Sequence, residues 1–393
     1  TLKNGVLLHD DNETVAADAG FSFLDNGQHL LIGAYHSVFR LLESAGVRRN
    51  DAFLHLPMQW YLHDGLRFSI EHGRLLGIRA RSLPAPFNLA CALLGAENAP
   101  LGLRFSLLNT LAALQKHARR AAPDQSIAVW LAAQRVPQAQ IEQFWQPLVW
   151  GALNTPLAEG SLKTLTNVLA DGVWASRNAG DFYIAKRNLS DALAAPVLRY
   201  LAQHGAKYRP NCRIAQVQAA SGKVQADGQT FDAAVFAVAP YHLAPLLPEH
   251  LGNAVRQAVQ QLSYHAITTV YLRYPQPLHL PAALTGFAHR PTQWLLDRSR
   301  LQHPNEAAAI ISTSDLVAES SLHTDGKPDW AATAHQDLLQ LNPHLPPPEA
   351  QQTITEKRAT VASTVNRRLP DMADLNAWCW TWPRRPRLRG SSP

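Results

Sequence analysis

The sequence has few cysteines and little charge. Its three cysteines, Cys91, Cys212 and Cys379, form no CxxC pair in 393 residues. A sparse and odd cysteine count argues against a disulfide framework and indicates a reducing compartment, and without a CxxC pair a zinc knuckle or thioredoxin-type centre is excluded. Charged residues make up 17% of the chain, below the roughly 25% of a typical soluble domain. The chain therefore has ample apolar material for a large core.

Long apolar runs and a secretory signal are also missing. No apolar stretch approaches the ~18 residues that span a bilayer, and the N-terminus lacks the basic-then-apolar order of a signal peptide. We therefore expect a cytoplasmic protein. The formal charge of +6 is scattered along the chain, which argues against nucleic-acid binding. A faintly basic surface is equally compatible with peripheral contact at the inner face of the cytoplasmic membrane.

The order of apolar patterns predicts a mixed α/β chain. A helix is expected over Leu30–Ser44, and residues 50–205 are mostly helical, with Ser126 and Ser161 as N-caps. The apolar run Ala233–Ala239 is typical of a strand that is buried on both faces. Strands of a second sheet are predicted at Ala266–Tyr274, Ala307–Thr313 and Gln351–Ala362.

Standard catalytic motifs have no match in the sequence. GxGxxG, the P-loop, HExxH and GxSxG are all absent. The 17 histidines are dispersed without the spacing of metal ligands, so no metal site is predicted.

One polar cluster lies between two apolar segments: Asp25, Asn26, Gly27, Gln28 and His29. It precedes the first predicted helix, and a helix N-terminus offers unpaired N–H groups to a ligand. Gly27 would allow a ligand to approach the backbone closely. The alternative is that Asp25 or Asn26 only caps the helix, while Gln28 and His29 lie on the surface.

Two tryptophan-containing segments are further candidates. Trp145–Pro156 alternates aromatic and small residues on a predicted helix, which could either wall an apolar pocket or form an ordinary core helix. Thr292–Arg298 is typical of a strand. In its simplest interpretation, Trp294 packs inward and Asp297 forms an ordinary ion pair with Arg298.

Together these segments resemble the hydroxysqualene dehydroxylases, a squalene-associated branch of the flavin-containing amine oxidase and phytoene desaturase superfamily. The resemblance is carried, in the family's order, by Asp25–Tyr35, Trp145–Pro156, Thr269–Leu272, Thr292–Arg298 and Glu356–Thr360. These segments are spread over most of the chain.

The resemblance implies an interleaved architecture. An incomplete FAD-binding, Rossmann-like α/β domain would take residues 1–46, 190–247 and 356–393, and an α+β substrate domain of helices and antiparallel sheet would take 47–189 and 248–355. Family members hold the FAD phosphates with a GxGxxG unit near the N-terminus and carry a second flavin motif near the C-terminus. Neither motif occurs here. We therefore expect a truncated chain that starts downstream of the first unit, ends in an unrelated tail and binds FAD weakly.

The resemblance also implies a reaction. FAD would be the cofactor, an isoprenoid the substrate, and reductive removal of the hydroxyl of hydroxysqualene to give squalene the chemistry. Gln28 and His29 would be the catalytic residues, with His29 as the acid. The implied cofactor contacts are Asp25, Asn26, Gly27, Ile214, Ala239 and Pro240, and the implied pocket residues are Trp145, Trp150, Asn154 and Trp294. Alternatives are a non-catalytic isoprenoid- or membrane-binding remnant, or another chemistry of the superfamily such as amine oxidation or carotenoid desaturation.

Overall fold

The chain interleaves two compact units. The computed structural model describes residues 20–220, 222–247, 253–321 and 328–367, with the short strands Leu2–Lys3 and Val6–Leu7. The first unit holds the chain up to Tyr208 together with Tyr264–Asn366, and the second holds Arg209–Ser263 with the chain from Arg367 onward. The predicted C-terminal tail lies outside the described residues. The division by function into a FAD-binding and a substrate domain stays a prediction.

The strands are β1 Leu2–Lys3, β2 Val6–Leu7, β3 Leu30–Ile32, β4 Phe53–Leu56, β5 Gln59–Tyr61, β6 Arg67–Ser69, β7 Arg74–Leu75, β8 Ile78–Arg79, β9 Phe182–Ala185, β10 Val217–Ala220, β11 Lys223–Ala226, β12 Gln229–Phe231, β13 Tyr264–Arg273, β14 Leu284–Gly286, β15 Trp294–Asp297, β16 Glu306–Ser312 and β17 Ala350–Val361. The α-helices are α1 His36–Ser44, α2 Arg49–Ala52, α3 Phe87–Leu94, α4 Leu101–Ala118, α5 Ile127–Ala133, α6 Gln138–Gln140, α7 Gln146–Leu153, α8 Leu162–Leu169, α9 Ala195–Gln203, α10 Pro240–Leu243, α11 Asn253–Gln260, α12 Ser314–Ser321 and α13 Trp330–Leu338. The π-helical turns are Ile141–Trp145, Ala170–Trp174 and Ser190–Ala194, and the 3-10 turns are Ala80–Ser82, Ala244–Leu246 and Arg298–Leu301.

An antiparallel five-stranded sheet forms the centre of the first unit, in the order β14-β15-β16-β13-β17. Strands β13, β16 and β17 confirm the three predicted strands, with ends shifted by one or two residues. Alternation along β13 separates two cores. Val270 and Leu272 pack on the side of α13, whereas Tyr271 packs with Phe21 and Phe23 on the opposite face.

The helical part of the first unit confirms both predicted N-caps. The Ser126 hydroxyl accepts a hydrogen bond from the Val129 N–H at 3.3 Å, and the Ser161 hydroxyl accepts one from the Thr164 N–H at 3.0 Å. These bonds satisfy donors that the first turns of α5 and α8 would otherwise leave unpaired. Both helices belong to the large core that includes Trp145.

The predicted helix from Leu30 is wrong at its start. Leu30–Ile32 forms β3, which pairs with β9, and α1 begins only at His36. Gly33 permits this pairing, because a Cβ on it would lie 2.0 Å from the Asn178 carbonyl oxygen. The Asp25–His29 loop therefore leads into a strand, and the expected helix N-terminus does not lie beside it.

The predicted buried strand at Ala233–Ala239 is also wrong. These residues form no strand, and Val235 is 92% exposed. An apolar run becomes a buried strand only where neighbouring strands take up its backbone hydrogen bonds. In the described part of the second unit, β10, β11 and β12 form a sheet among themselves.

Candidate functional site

The Asp25–His29 loop is fixed to the five-stranded sheet by its first residue. The Asp25 N–H donates to the Tyr271 hydroxyl at 3.3 Å, and that hydroxyl donates to the Asp25 carbonyl at 3.1 Å. The Asp25 carboxylate accepts from the Leu189 N–H at 3.0 Å. Because Asp25 is buried, these contacts position the loop backbone above β13.

A buried arginine, Arg298, packs against Tyr271 and helps to hold this anchor in place. The Arg298 guanidinium pairs with the Glu306 carboxylate at 2.9 Å and donates to the Phe23 carbonyl at 2.9 Å. It also lies over the Tyr271 ring, 5.2 Å from its centroid. Burial lowers the pKa of Arg298, against the opposing effect of Glu306, and burial raises the pKa of Tyr271. Tyr271 is therefore a neutral hydroxyl at neutral pH and can both donate and accept.

One buried polar atom without a partner belongs to the Gly27 turn, and a second lies beside it. Gln28 Oε1 and Thr269 Oγ1 have no hydrogen-bond partner among the described residues. A Cβ built on Gly27 would lie 3.8 Å from the Thr269 hydroxyl oxygen and 3.7 Å from His29 Nε2. Leaving a buried polar group unpaired costs about 1–3 kcal/mol. This turn therefore favours a ligand that can pair with both groups.

His29 lies at the exposed edge of the same turn. Desolvation by the surrounding protein lowers the pKa of its imidazole below the ordinary value of 6.5. At neutral pH most molecules therefore carry the neutral ring, and only a minority carry the imidazolium that a general acid needs.

Thr269 belongs to a row of residues that crosses one face of the sheet. Directly paired residues of an antiparallel sheet point to the same face. The row runs, in order, through Ile354, Thr269, Ile310, Trp294 and Gly286. Ile354, Ile310 and Trp294 are only partly buried. With a strand spacing of ~4.8 Å, Trp294 lies roughly 10 Å from Thr269, the residue beside the Gly27 turn.

Trp294 joins this row to the helical part of the unit. Its ring packs edge-to-face on Trp60, with centroids 5.2 Å apart. A Cβ on Gly151 of α7 would lie 3.6 Å from the indole nitrogen, and a Cβ on Gly286 would lie 2.8 Å from indole Cζ3. Gly286 is therefore required for the indole to lie across β14. The structure brings Trp294 together with the predicted Trp145–Pro156 helix at Gly151.

Two other predicted pocket residues, Trp145 and Trp150, precede Gly151 in the same helical segment. Trp145 is wholly buried in the helical core, where it packs at a right angle on Phe144, and Trp150 is partly buried. The placement of Trp145 is that of a core residue, as in the simpler of the two interpretations of this helix.

Asn154 joins α7 to the sheet. It ends the helix in the left-handed conformation, with φ of 45°, which asparagine tolerates. Its amide N–H groups donate to the His265 carbonyl at 3.2 Å and the Thr360 hydroxyl at 2.9 Å, and its oxygen accepts from the Thr313 N–H at 2.7 Å. Both amide donors are thereby used within the protein. Two of the segments that carry the resemblance meet in this contact.

The remaining predicted cofactor contacts are more exposed. Asn26 is exposed in the first unit. In the second unit, Ile214 is partly exposed and precedes β10, while Ala239 and Pro240 open the short helix α10. Their role as cofactor contacts stays a prediction.

Sequence reasoning missed the roles of Thr269, Tyr271 and Arg298. The expected ion pair between Asp297 and Arg298 is wrong, because the Asp297 carboxylate accepts from the Ser299 N–H at 2.9 Å and Arg298 pairs with Glu306 instead. One signal was available: Thr269 and Tyr271 are two positions apart on a predicted strand and hence point to one face.

A cleft of about 630 Å³ is lined in part by Leu56, Trp60, Phe68, Gly73, Arg74 and Ala283. No group of three His, Cys, Asp or Glu side chains placed to hold a metal ion occurs in the described part of the chain. Within the same residues, no helix combines the length and the hydrophobicity needed to cross a membrane.

Residues 13–315, more than half of the chain, match the sequence model of the flavin containing amine oxidoreductases. The chain belongs to this family. It is thus an oxidoreductase of the flavin amine oxidase type, and FAD is its cofactor. The match covers the whole family and does not distinguish among its branches. No curated protein shows significant sequence similarity to the chain.

Solved flavoenzymes share the fold. Cyclohexylamine oxidase from Brevibacterium oxydans IH-35A is 15% identical over 90% of this chain and 79% of its own, with a TM-score of 0.62. Putrescine oxidase bound to putrescine is 14% identical over 91% and 79%, with a TM-score of 0.63. A provisionally assigned protoporphyrinogen oxidase from Exiguobacterium sp. 255-15 is 15% identical over 88% and 77%, with a TM-score of 0.54. At such identities the similarity shows the fold alone.

The residues at the Gly27 turn fit the isoalloxazine ring of this cofactor. The ring edge carries an N–H donor as well as carbonyl and nitrogen acceptors, so it can pair with the Gln28 carbonyl and the Thr269 hydroxyl.

Proposed function

We propose that this flavin-dependent oxidoreductase removes the hydroxyl from an isoprenoid alcohol, with hydroxysqualene as substrate and squalene as product. The observation that carries the proposal is the row Ile354, Thr269, Ile310, Trp294 and Gly286. None of its side chains is charged, and it crosses four strand spacings, roughly 19 Å. An uncharged floor of this length suits an elongated hydrocarbon. The resemblance of five segments to hydroxysqualene dehydroxylases supports the same substrate.

The chain's own residues have distinct tasks in this reaction. Reduced FAD, when bound, supplies the hydride that replaces the hydroxyl, so that hydroxysqualene and one proton give squalene and water as the flavin becomes oxidised. Gln28 and Thr269 hold the ring edge through their unpaired polar atoms. His29, at the same turn, donates the proton to the departing oxygen. Ile310 and Trp294 keep water away from the hydrocarbon chain along the sheet row.

Amine oxidation is the second candidate, because two enzymes of similar fold are amine oxidases. An amine substrate favours a carboxylate near the reacting end. Glu356 is paired opposite Ile267 and so lies on the face of Thr269, but its carboxylate already accepts from the Arg358 N–H at 3.1 Å.

A product assay separates these functions. The purified chain is loaded with FAD, reduced without oxygen and given hydroxysqualene, and the extract is analysed by gas chromatography and mass spectrometry. We expect squalene in amounts matching the flavin oxidised. A Trp294→Ala variant should form it more slowly, and Phe105→Ala, which removes an exposed ring of α4, should not. Absence of squalene, with bleaching of the oxidised flavin by putrescine or cyclohexylamine, would instead establish amine oxidation.

A further inference from the structure

The β7–β8 hairpin presents apolar side chains at its tip. Arg74 pairs with Arg79 and Leu75 with Ile78, so Leu76 and Gly77 form a two-residue turn. The Leu76 side chain is 95% exposed and that of Ile78 is 52% exposed. Both side chains therefore lie in water at the end of a narrow projection.

The backbone of this turn makes leucine a costly choice. Leu76 has φ of 49° and Gly77 has φ of 83°. A hairpin turn with two positive φ values favours asparagine, aspartate or glycine at its first position, because a larger side chain is strained there. Leu76 carries this strain and gains no packing within the described structure. An apolar surrounding for its side chain would offset the cost.

A third apolar side chain lies near the hairpin. The Cys91 thiol of α3 donates to the Ile78 carbonyl at 3.6 Å, so α3 packs beside β8. Phe87 lies four residues earlier, about 6 Å along the helix axis, and is 63% exposed. The start of α3 thus adds an exposed apolar side chain beyond those of the hairpin.

Exposed arginines surround the base of the hairpin. Arg74, Arg79 and Arg81 are exposed, and Arg81 forms an ion pair with Glu71. From His72 to Ala96 the sequence contains no acidic residue. An apolar tip above a basic base matches the order of layers in an anionic bilayer, with acyl chains beneath phosphate headgroups.

The base of the hairpin also borders the cleft described above. Gly73 and Arg74 line that cleft together with Trp60, and Trp60 packs on Trp294 of the sheet row. Insertion of the hairpin tip into a bilayer would therefore bring the cleft close to the lipid.

We propose that the β7–β8 hairpin docks the protein on anionic lipid bilayers. Leu76 and Ile78 insert among the acyl chains, and Arg74 and Arg79 contact the phosphate headgroups. The inference goes beyond the proposed reaction, since vesicle binding requires neither FAD nor an isoprenoid. A negative result for vesicle binding would not contradict the proposed reaction, and a negative result for the reaction would not contradict vesicle binding.

Sedimentation with vesicles tests the proposal. The purified chain should bind vesicles of equal parts phosphatidylcholine and phosphatidylglycerol more tightly than vesicles of phosphatidylcholine alone. The double variant Leu76→Ser/Ile78→Ser should weaken binding to the mixed vesicles roughly tenfold or more. Arg74→Gln/Arg79→Gln should weaken it by roughly an order of magnitude and remove the preference for the anionic lipid.

Val129→Ser is the matched control, since it removes a 58% exposed apolar side chain from α5 and should bind as the unaltered chain does. Near-ultraviolet circular dichroism and the unfolding midpoint verify that each variant is folded. Unchanged binding of a folded tip variant would overturn the proposal, as would an equal loss in Val129→Ser. A tip variant that loses self-association but keeps vesicle binding would make the hairpin a contact between copies of the chain, which also overturns it.

Discussion

Gly27 and Thr269 are far apart in the sequence but adjacent in the fold. The sequence drew attention to the polar cluster at Gly27 through its composition alone. It gave no comparable sign of Thr269, because an unpaired hydroxyl depends on which strands flank it and which face it shares. Thr268, its neighbour, has the opposite environment: its hydroxyl donates to Ser314 at 3.0 Å and contacts the Thr355 hydroxyl at 2.8 Å.

This contrast makes a prediction at the residue scale. Thr269→Val removes a buried hydroxyl that has no partner in the described structure, so the FAD-free chain should keep or slightly gain stability, by about 0–1 kcal/mol. The variant should nevertheless bind FAD several-fold more weakly, as followed by absorbance titration.

Thr268→Val is the control for this substitution. It breaks two hydrogen bonds and should lower the free energy of unfolding by about 1–3 kcal/mol without a specific effect on FAD. A Thr269→Val chain that unfolds as easily as Thr268→Val, or binds FAD unchanged, would contradict the assignment of Thr269.

The His29 proton gives a second prediction. Its pKa is lowered by desolvation, so the protonated, acidic form predominates only at pH values below the ordinary 6.5. If His29 donates the proton, the single-turnover rate of flavin oxidation should rise as pH falls through this lowered pKa and decline above it. His29→Ala should flatten that profile, whereas His36→Ala should retain it. A rate that keeps its pH dependence in His29→Ala would assign the acid to another group.

At the scale of elements, the anchor between the loop and β13 accounts for how the turn is held. Alternation along β13 was predictable, and it places Thr269 and Tyr271 on one face. The strand β3 was not predictable, because Leu30–Ile32 is too short for its periodicity to distinguish strand from helix. Its state is decided by pairing with β9, more than one hundred residues later.

Loss of the anchor should loosen the turn without touching a ligand. Tyr271→Phe removes both hydrogen bonds to the Asp25 backbone and should cost about 1–3 kcal/mol of unfolding free energy. FAD affinity should fall with it.

Tyr274→Phe is the matched change on the opposite face, where the hydroxyl contacts His335 Nδ1 at 3.0 Å. It should lower stability and leave FAD affinity unchanged. Equal effects of the two variants on FAD binding would show that the anchor has no specific role.

The crossing of Trp294 over β14 gives a prediction about substrate binding. Gly286→Ala places a Cβ 2.8 Å from the indole and 2.6 Å from Leu62 Cδ2, so the ring must move. Tryptophan fluorescence should shift and the apparent affinity for hydroxysqualene should fall. Gly102→Ala meets open space in α4 and should raise stability by about 0.5–1 kcal/mol with unchanged affinity. An unaltered substrate affinity in Gly286→Ala would show that Trp294 does not contribute to the surface that binds the substrate.

At the scale of the whole molecule, segments scattered along the sequence meet in the first unit. Asp25 meets Tyr271, Asn154 meets Thr360, and Trp294 meets Gly151. The order of these segments was sufficient to predict the flavin amine oxidase family, which the family match confirms. The apolar pattern of Ala233–Ala239 alone could not predict that this segment forms no strand, since burial of a strand depends on its neighbours. The hydroxysqualene branch stays a prediction.

Photoaffinity labelling tests most directly whether the sheet row holds the isoprenoid beside the Gly27 turn. A squalene analogue with a diazirine is bound to the FAD-loaded chain, irradiated and mapped by peptide mass spectrometry, with excess hydroxysqualene as competitor. We predict labels on Ile310, Trp294 and Ile354 that excess hydroxysqualene prevents. In the Gly286→Ala variant, which displaces the Trp294 ring, the label on Trp294 should be lost. Labels confined to other surfaces, or labels on the row that hydroxysqualene does not displace, would contradict the account.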